Sequence, residues 1–368
     1  MPILDFERAR ELTKAHGTPL LVVSGEKLRG NVADLHSSLP SVTLHYAIKA
    51  NPDGAILKIL AEEGLSFDVS SLGEIDLVAA QGIGPDRLLY TKPINKDSEL
   101  AQAYEAGIRW FVVDNAEEAT KLGRCAPGAN VLARIRVSTK DAVVDLSYKF
   151  GARPNDALPL IEHARAVGLR VRGLSFHVGS QCTNPYSFVE TIVTCRTIFN
   201  HASGLGIAMD TLDIGGGFPV SYLEPVMPIE QFCEPITQAL ERYFGDYRVI
   251  AEPGRFVVGD AVTLITQVIG KSVRDQITWY YIDDGLYGSF SGKLYDHCDY
   301  PIATEREDRR QLCVIAGPTC DSFDVVYANR ALPELVIGDL MLVDGMGAYT
   351  NASASEFNGL PKAKIVLI

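Results

Sequence analysis

Polar residues follow apolar, strand-like runs at several points along the chain. Lys49 comes directly after the run Val42–Ile48, and Glu252 comes directly after Tyr247–Ala251. Functional groups at the ends of parallel strands converge on one face of a barrel, where they can act together. At or near the ends of other predicted strands lie Asp68, His177, Ser180 and Arg255, together with the glycines Gly215, Gly216, Gly217 and Gly254. Together they predict an anion-binding cradle that faces a lysine.

Lys49 ends an apolar strand, so its amine would be partly removed from water. Desolvation favours the neutral, nucleophilic amine that Schiff-base chemistry requires. The alternative is a lysine whose aliphatic stem covers apolar surface while its amine reaches solvent. His177 is open to a similar alternative, because a histidine at a strand end is often a hydrogen-bonded core residue.

The glycine-rich turn Gly215–Gly217 could present backbone N–H groups to an anion such as a phosphate. Arg255 follows a Pro-Gly turn and could add a bidentate contact to the same anion. Taken singly, three glycines commonly form a tight turn, and an isolated arginine is commonly a surface residue. Their shared position after predicted strands favours the anion-binding interpretation.

The elements that would position these residues alternate between short β-rich runs and longer amphipathic helical segments. Several β-rich runs are apolar on both faces, as parallel strands covered by helices are. Eight such units predict a (β/α)8 barrel within the α/β class. An open doubly wound sheet is the alternative, but no GxGxxG motif follows the first strand. The predicted strands are Val42–Ile48, Leu65–Val69, Arg87–Tyr90, Ile108–Val113, Val131–Val137, Val171–His177, Thr211–Ile214 and Tyr247–Ala251.

The pattern changes after Gly254 to β-rich runs separated by Gly, Pro and Asp. This change predicts a second, mainly antiparallel β-sandwich or barrel domain. An early strand-like run, Thr18–Ser24, could join its sheet. We therefore predict a barrel over residues 25–253 and a β domain built from residues 1–24 and 254–368.

The composition excludes several classes of protein. The 368 residues carry 34 Lys+Arg against 46 Asp+Glu, a net charge of −12, so a nucleic-acid partner is not expected. The seven cysteines form no CxxC pair, which argues against a disulfide framework and against a metal site. Because neither a signal peptide nor an apolar run long enough for a membrane span is visible, we expect a cytoplasmic protein.

Nine segments in order resemble one known family from about residue 20 onward. The segments are YAIKAN, FDVSSLGEI, FHVGSQC, DIGGGFP, AEPGR, DGLYGSF, LYDH, GPTCDSFD and GAYT. They closely resemble the ornithine decarboxylases, which depend on pyridoxal 5'-phosphate (PLP) and share the alanine-racemase type of barrel. YAIKAN, HVGSQ and EPGR mark only that wider group, whereas LYDH with GPTCD indicates its diamine-forming branch.

The resemblance implies how the cofactor would be held. Lys49 would bind PLP covalently, Asp68 would lie beside it, and Glu74 lies on the helix that follows. His177 would stack on the pyridine ring and Glu252 would pair with the ring nitrogen, keeping it protonated as an electron acceptor. Arg136 resembles the family arginine near the ring, with Arg134 as the close alternative. The phosphate would be held by Ser180, Gly215, Gly216, Gly217, Gly254, Arg255 and Tyr349.

The resemblance also implies catalytic and substrate-binding roles outside the barrel. Cys320 resembles the acid that protonates the α-carbon after carbon dioxide leaves, so the implied catalytic residues are Lys49, His177 and Cys320. Asp296 and Asp321 would receive the distal ammonium of a basic amino acid, beside Tyr287 and Tyr295. In the family the site forms across a homodimer, with Tyr287, Cys320 and Asp321 reaching into the partner's pocket.

The predicted activity is the decarboxylation of L-ornithine to putrescine and carbon dioxide. L-lysine, or a modified basic amino acid, is the alternative substrate, because the short segment between Cys298 and Arg310 helps to set the depth of the pocket. Amino-acid racemases and diaminopimelate decarboxylases are disfavoured by the Cys320–Asp321 motif. A cofactor-free regulatory homologue is the alternative from another class, although every implied cofactor residue is present.

Overall fold

The computed structural model describes residues 3–137, 141–144 and 146–368. The strands of this part are β1 (Leu20–Val23), β2 (Val42–Ala47), β3 (Ser66–Val69), β4 (Leu88–Tyr90), β5 (Trp110–Val113), β6 (Asn130–Ile135), β7 (Ala142–Val144), β8 (Arg170–Phe176), β9 (Ser180–Cys182), β10 (Thr211–Asp213), β11 (Arg248–Ala251), β12 (Val262–Arg274), β13 (Ile277–Ile282), β14 (Ile302–Thr304), β15 (Gln311–Ala316), β16 (Val325–Leu332), β17 (Leu340–Val343) and β18 (Lys364–Leu367). The α-helices are α1 (Phe6–His16), α2 (Gly25–Ser38), α3 (Gly54–Glu62), α4 (Leu72–Ala79), α5 (Asp97–Glu105), α6 (Ala116–Cys125), α7 (Ala157–Ala166), α8 (Tyr186–Gly204), α9 (Ile229–Phe244), α10 (Arg255–Val258) and α11 (Gly292–Tyr295).

A closed parallel barrel gathers the eight strands that the sequence predicts. Its strands are β2, β3, β4, β5, β6, β8, β10 and β11, and β11 pairs with β2 to close it. Most residues of these strands are buried, because helices cover the outer face while side chains fill the interior. The barrel prediction is therefore confirmed.

The chain turns sharply into a helix directly after β3. Ser71 caps α4 by accepting the backbone N–H of Glu74 at 3.2 Å, and the Glu74 carboxylate accepts the N–H of Ser70 at 2.5 Å. The first bond satisfies an N–H group that the first helical turn would leave unpaired, and the second ties the residue before the cap to that turn. Together the two bonds fix the direction of the chain just beyond Asp68.

A mixed, mainly antiparallel sheet forms where the sequence predicts the second, β-rich domain. β12 pairs antiparallel with β1, β13 and β17, and β13 pairs parallel with β15. β1 lies between β12 and β18, as the run Thr18–Ser24 suggested. The segment directly after Gly254 differs from the predicted β-rich pattern, because α10 and a short 3-10 turn, Gly259–Ala261, precede β12.

The chain divides into two compact units. The barrel unit comprises Arg29–Pro219 and Val226–Phe256, and the sheet unit comprises Met1–Leu28, Val220–Pro225 and Val257–Ile368. The segment Val220–Pro225 follows the glycine-rich turn in sequence yet belongs to the sheet unit. There Tyr222 packs edge-on against Tyr300, with 5.7 Å between ring centroids.

All seven cysteines are free, and five of them are buried. Within the described ranges, none of the helices combines the length and the apolar character that a membrane crossing requires.

Candidate active site

Lys49 lies in a short 3-10 turn immediately after β2. Its Nζ donates to Asp68 Oδ2 at 2.7 Å, and the other Asp68 oxygen accepts the hydroxyl of Thr91. The Asp68 side chain is fully buried, whereas 39% of the Lys49 side chain is exposed. A buried carboxylate thus holds the amine at the rim of the barrel while leaving it accessible to a small molecule.

Two further buried carboxyl groups feel the charges of this pair. Asp213 ends β10 and Glu252 follows β11, and the two side chains are close enough that each influences the pKa of the other. Burial raises the pKa of Asp213 to about 6. Burial, reinforced by the Asp213 charge, raises the pKa of Glu252 well above its ordinary value. The pair therefore holds a proton that two isolated carboxylates would have lost.

The Glu252 carboxyl group has one oxygen, Oε1, that is buried and makes no hydrogen bond within the described residues. Burying a polar atom without a partner costs free energy, so native sites usually provide one. A protonated ring nitrogen would satisfy this oxygen. The residues present therefore fit an aromatic nitrogen base such as pyridoxal phosphate.

His177 follows β8 and has a defined protonation. Its Nδ1 accepts the backbone N–H of Gly179 at 3.0 Å. Burial, together with the positive charges of Arg134 and Lys49, lowers the pKa of His177 well below its ordinary value. The imidazole is therefore neutral near pH 7 and offers an uncharged flat face.

The arginine that influences His177 is Arg134, within β6. Arg136, the residue favoured from sequence, is exposed just beyond β6, and its backbone N–H donates to the Ala152 carbonyl at 2.9 Å. Because the strand ends at Ile135, the two arginines do not continue one regular alternation. Of the two arginines, Arg134 is the one whose charge lowers the pKa of His177, and which of them lies near the cofactor ring stays a prediction.

A cradle of close backbone contacts lies beside His177. Gly215 and Gly217 have φ of 66° and 113°, a region that glycine adopts without strain. A Cβ on Gly216 would lie 2.4 Å from the Glu252 carbonyl oxygen, and one on Gly217 would lie 2.4 Å from the Gly179 carbonyl oxygen. Only glycine therefore fits this turn.

A buried arginine completes the cradle. The Nη2 atom of Arg255 donates to the Ser180 hydroxyl at 3.0 Å, and the arginine is only 4% exposed. Gly254 is buried directly before it. A buried guanidinium beside a hydroxyl and a glycine turn is an arrangement that suits a phosphate.

The remaining predicted residues belong to the sheet unit. The Tyr287 hydroxyl donates to Asp321, whose other carboxylate oxygen accepts the N–H of Phe323 at 3.0 Å. These two bonds lower the pKa of Asp321, and the Asp321 contact raises the pKa of Tyr287. Asp321 is therefore a persistent anion at neutral pH.

Four further predicted residues of this unit differ in exposure. Cys320 is exposed, and Tyr295, at the end of α11, is 64% exposed. Asp296 follows α11 and is half-buried, as is Tyr349, which has a left-handed φ of 56°.

The sequence analysis did not predict several residues that contact the candidate site residues. Thr91 ends the run LLYT and Asp213 precedes the glycines of DIGGG, so strand-end position was a signal for both. Asn358 accepts hydrogen bonds from Cys320, and Phe357 stacks on Tyr287. No local pattern marks these last two, because each contact joins distant parts of the chain.

A closed barrel with a lysine, a proton-holding carboxyl pair and an anion cradle at the ends of its strands defines a cofactor-dependent α/β-barrel enzyme. Residues 26–259 match the family described as pyridoxal-dependent decarboxylase, pyridoxal binding domain. The chain belongs to this family: it is a decarboxylase whose cofactor is pyridoxal 5'-phosphate.

Similar proteins include enzymes from bacteria and animals. A lysine/ornithine decarboxylase from Selenomonas ruminantium is 38% identical over 99% of this chain and 93% of its own length. An ornithine decarboxylase from Rattus norvegicus is 37% identical over 90% of this chain and 76% of its own length. The structure of a lysine/ornithine decarboxylase from Vibrio vulnificus complexed with cadaverine matches with a TM-score of 0.94 and 42% identity over 100% of both chains.

Proposed function

We propose that this protein decarboxylates L-ornithine to putrescine and that it accepts L-lysine as a second substrate. The observation that carries the proposal is the Asp321 carboxylate, which Tyr287 and the Phe323 N–H keep ionised. A persistent anion on a half-buried residue suits the distal ammonium of a basic amino acid. The Selenomonas and Vibrio relatives, both lysine/ornithine decarboxylases, support the same substrate class.

Bound PLP supplies a ring that accepts the electron pair released when the bond between the α-carbon and the carboxylate breaks. In our proposal Lys49 binds the cofactor covalently, with Asp68 holding its amine in place. Glu252 holds the proton on the ring nitrogen through its unpartnered oxygen. Neutral His177 packs on the ring face, and Arg134 takes the place first assigned to Arg136.

The phosphate is assigned to the cradle. The proposed contacts come from Ser180, Gly215, Gly216, Gly217, Gly254, Arg255 and Tyr349. Residues 25–253 then form the cofactor-binding domain, and residues 1–24 with 254–368 form the β domain.

Cys320 is proposed to supply the proton that replaces the lost carboxylate. Asp296 and Asp321 bind the distal ammonium, with Tyr287 and Tyr295 beside them. Tyr287, Cys320 and Asp321 would act in the pocket of a partner subunit within a homodimer.

Exposed apolar side chains around Tyr287 support the dimer. Phe357 is 40% exposed and stacks on Tyr287, and Leu360 lines the same small depression. Phe323 and Tyr295 are 58% and 64% exposed. Large apolar groups clustered at a surface are typical of a protein interface.

A substrate panel tests the function. Carbon dioxide release from L-ornithine, L-lysine, L-arginine and diaminopimelate should give the largest kcat/KM with ornithine. Ornithine and lysine differ by one methylene, which an apolar pocket discriminates by about 10- to 200-fold, so lysine should fall within that range. Absence of carbon dioxide release from both ornithine and lysine would contradict the proposal.

Two substitutions refine this test. Asp321→Asn should lower kcat/KM by about ten- to hundredfold for both substrates, because an ammonium loses a charged partner. Asp97→Asn is the control, since Asp97 begins α5 in the barrel unit, is exposed and pairs with Arg124. Equal effects of the two substitutions would count against Asp321 as the ammonium site.

A further inference from the structure

Asn358 contacts both polar groups of Cys320. The Cys320 backbone N–H donates to Asn358 Oδ1 at 3.1 Å, and the thiol donates to the same oxygen at 3.2 Å. One oxygen atom therefore fixes the main chain and the side chain of Cys320 together. Thirty-eight positions separate the two residues in the chain, so this is a tertiary contact rather than a local turn.

The position of Asn358 is itself well defined. Its φ of 57° and ψ of 14° lie in the left-handed region, which asparagine and glycine adopt more readily than other residues. The neighbouring Phe357 ring stacks on Tyr287, with ring centroids 4.3 Å apart and planes 20° apart. The Ser355 N–H donates to the Tyr287 carbonyl at 2.8 Å.

Tyr287 links this segment to the loop that carries Cys320. Its hydroxyl donates to Asp321, the residue after the cysteine. Two contacts thus hold Ser355–Asn358 against Cys320–Asp321. One runs through Tyr287, which stacks on Phe357, accepts a backbone bond from Ser355 and donates to Asp321. The other is the Asn358 amide oxygen.

We propose that Asn358 is a positioning residue that aims the Cys320 thiol for proton delivery. The inference rests on the proposed function, in which Cys320 is the proton donor. An amide oxygen accepts a hydrogen bond but does not take up a proton near neutral pH, so it orients the S–H bond without competing for its proton.

Proton delivery itself is simple to account for. It forms a C–H bond at the substrate α-carbon, breaks the S–H bond and leaves a thiolate. The thiolate then takes up a proton from solvent before the next turnover, which regenerates the thiol.

A purely structural role for Asn358 makes a different prediction. If the residue served only to adopt the left-handed turn, glycine would replace it without loss, since glycine adopts positive φ freely. Asn358→Gly therefore keeps the backbone and removes the acceptor. Asn358→Asp keeps an acceptor, and Gln276→Gly, at φ 63° in the exposed turn between β12 and β13, is the control for a glycine at a left-handed position.

The first measurement is alkylation of Cys320 by iodoacetamide in the full-length protein, followed by mass spectrometry of the Cys320 peptide. This readout does not depend on turnover. Asn358→Gly should raise the alkylation rate by about two- to tenfold, the effect of removing one hydrogen bond. Asn358→Asp should stay at or below the wild-type rate, because a carboxylate disfavours a neighbouring thiolate, and Gln276→Gly should match wild type.

The second measurement is a double-mutant cycle on kcat with Cys320→Ala. Asn358→Gly should lower kcat by about two- to tenfold at unchanged KM. In the Cys320→Ala background the same substitution should cost nothing further, because residues that act through one another are not additive.

Three outcomes would overturn the inference. An unchanged alkylation rate in Asn358→Gly would show that the amide does not hold the thiol. An additive cycle would show that Asn358 acts elsewhere. Full activity of Cys320→Ala would remove the donor role from Cys320, a failure of the proposed function that is visible separately from the alkylation result.

Discussion

The two units hold their reactive groups in opposite ways. In the barrel unit Asp68, Asp213 and Glu252 are buried, and each carboxyl group has a neighbour that shares its charge or its proton. In the sheet unit Cys320 is exposed and Asp321 is half-buried. A buried charge requires an opposite charge or a hydrogen-bond partner inside its own domain, whereas an exposed charge is solvated by water until a ligand or a partner subunit binds. The contrast supports a cofactor site built within one chain and a substrate site completed by a second copy.

Lys49→Ala provides the most severe test of the barrel half. Loss of the covalent attachment point should reduce decarboxylation by about 10⁴-fold or more, as removal of a nucleophile does in other enzymes. The absorbance band of bound PLP should disappear or shift. Lys58→Ala, on the exposed face of α3, is the matched control and should retain both properties. An unchanged spectrum in Lys49→Ala would remove Lys49 from the cofactor site.

Mixing two variants of strongly reduced activity tests whether the two units of one site come from different subunits. Lys49→Ala disables the barrel half of a site and Cys320→Ala disables the sheet half. If subunits pair at random and sites are shared, half of the dimers are mixed and each has one intact site, so about a quarter of the activity should return. Recovery is measured as carbon dioxide release after subunit exchange. Persistent inactivity would mean that each site is built from a single chain.

The smallest effect concerns two buried aspartates, one in each unit. Burial raises the pKa of Asp213 and of Asp284 to about 6. Between their ordinary pKa near 4 and this value, the folded state binds protons that the unfolded state lacks. The contribution of these two groups to the stability of the cofactor-free protein should therefore fall as pH rises from about 4 to 6 and stay low above it.

Urea unfolding of the cofactor-free protein at pH 5 and pH 7.5 measures this dependence. Asp213→Asn should change that difference by about 1.4 kcal/mol, since the folded-state pKa of about 6 lies one unit above pH 5 and one unit is worth about 1.4 kcal/mol. Asp284→Asn is the matched substitution in the sheet unit and should act similarly. If Asp213→Asn left the pH dependence untouched, the carboxyl pair would not hold the proton assigned to it.

Sequence reasoning located the barrel because periodicity is a local property. The eight apolar runs and the polar residue after each strand were sufficient to place Lys49 and Glu252 at one end of the barrel. Short or mixed-polarity strands were missed, including β16, which reads VVYANRAL. Such a strand has one exposed face and no sharp alternation, so sheet pairing rather than local pattern determines it.

The choice between Arg134 and Arg136 shows another limit. Both residues follow the same alternation in sequence, and only the end of β6 at Ile135 separates them. The Asn358–Cys320 contact is still harder to predict from sequence, because it joins two loops that are distant along the chain. Sequence patterns predict elements well, whereas contacts between loops depend on how those elements pack.

The pairing of β1 has a consequence for synthesis on the ribosome. Leu20–Val23 emerges early, yet its parallel neighbour Lys364–Leu367 is made more than three hundred residues later. The barrel, by contrast, closes once β11 emerges to pair with β2. During translation the early strand is therefore left with an open edge, which is a site for mispairing with other chains. A chaperone that covers residues near β1 would therefore stay bound to the nascent chain longest in this region. Slower translation should lower the yield of correctly folded sheet unit more than that of the barrel.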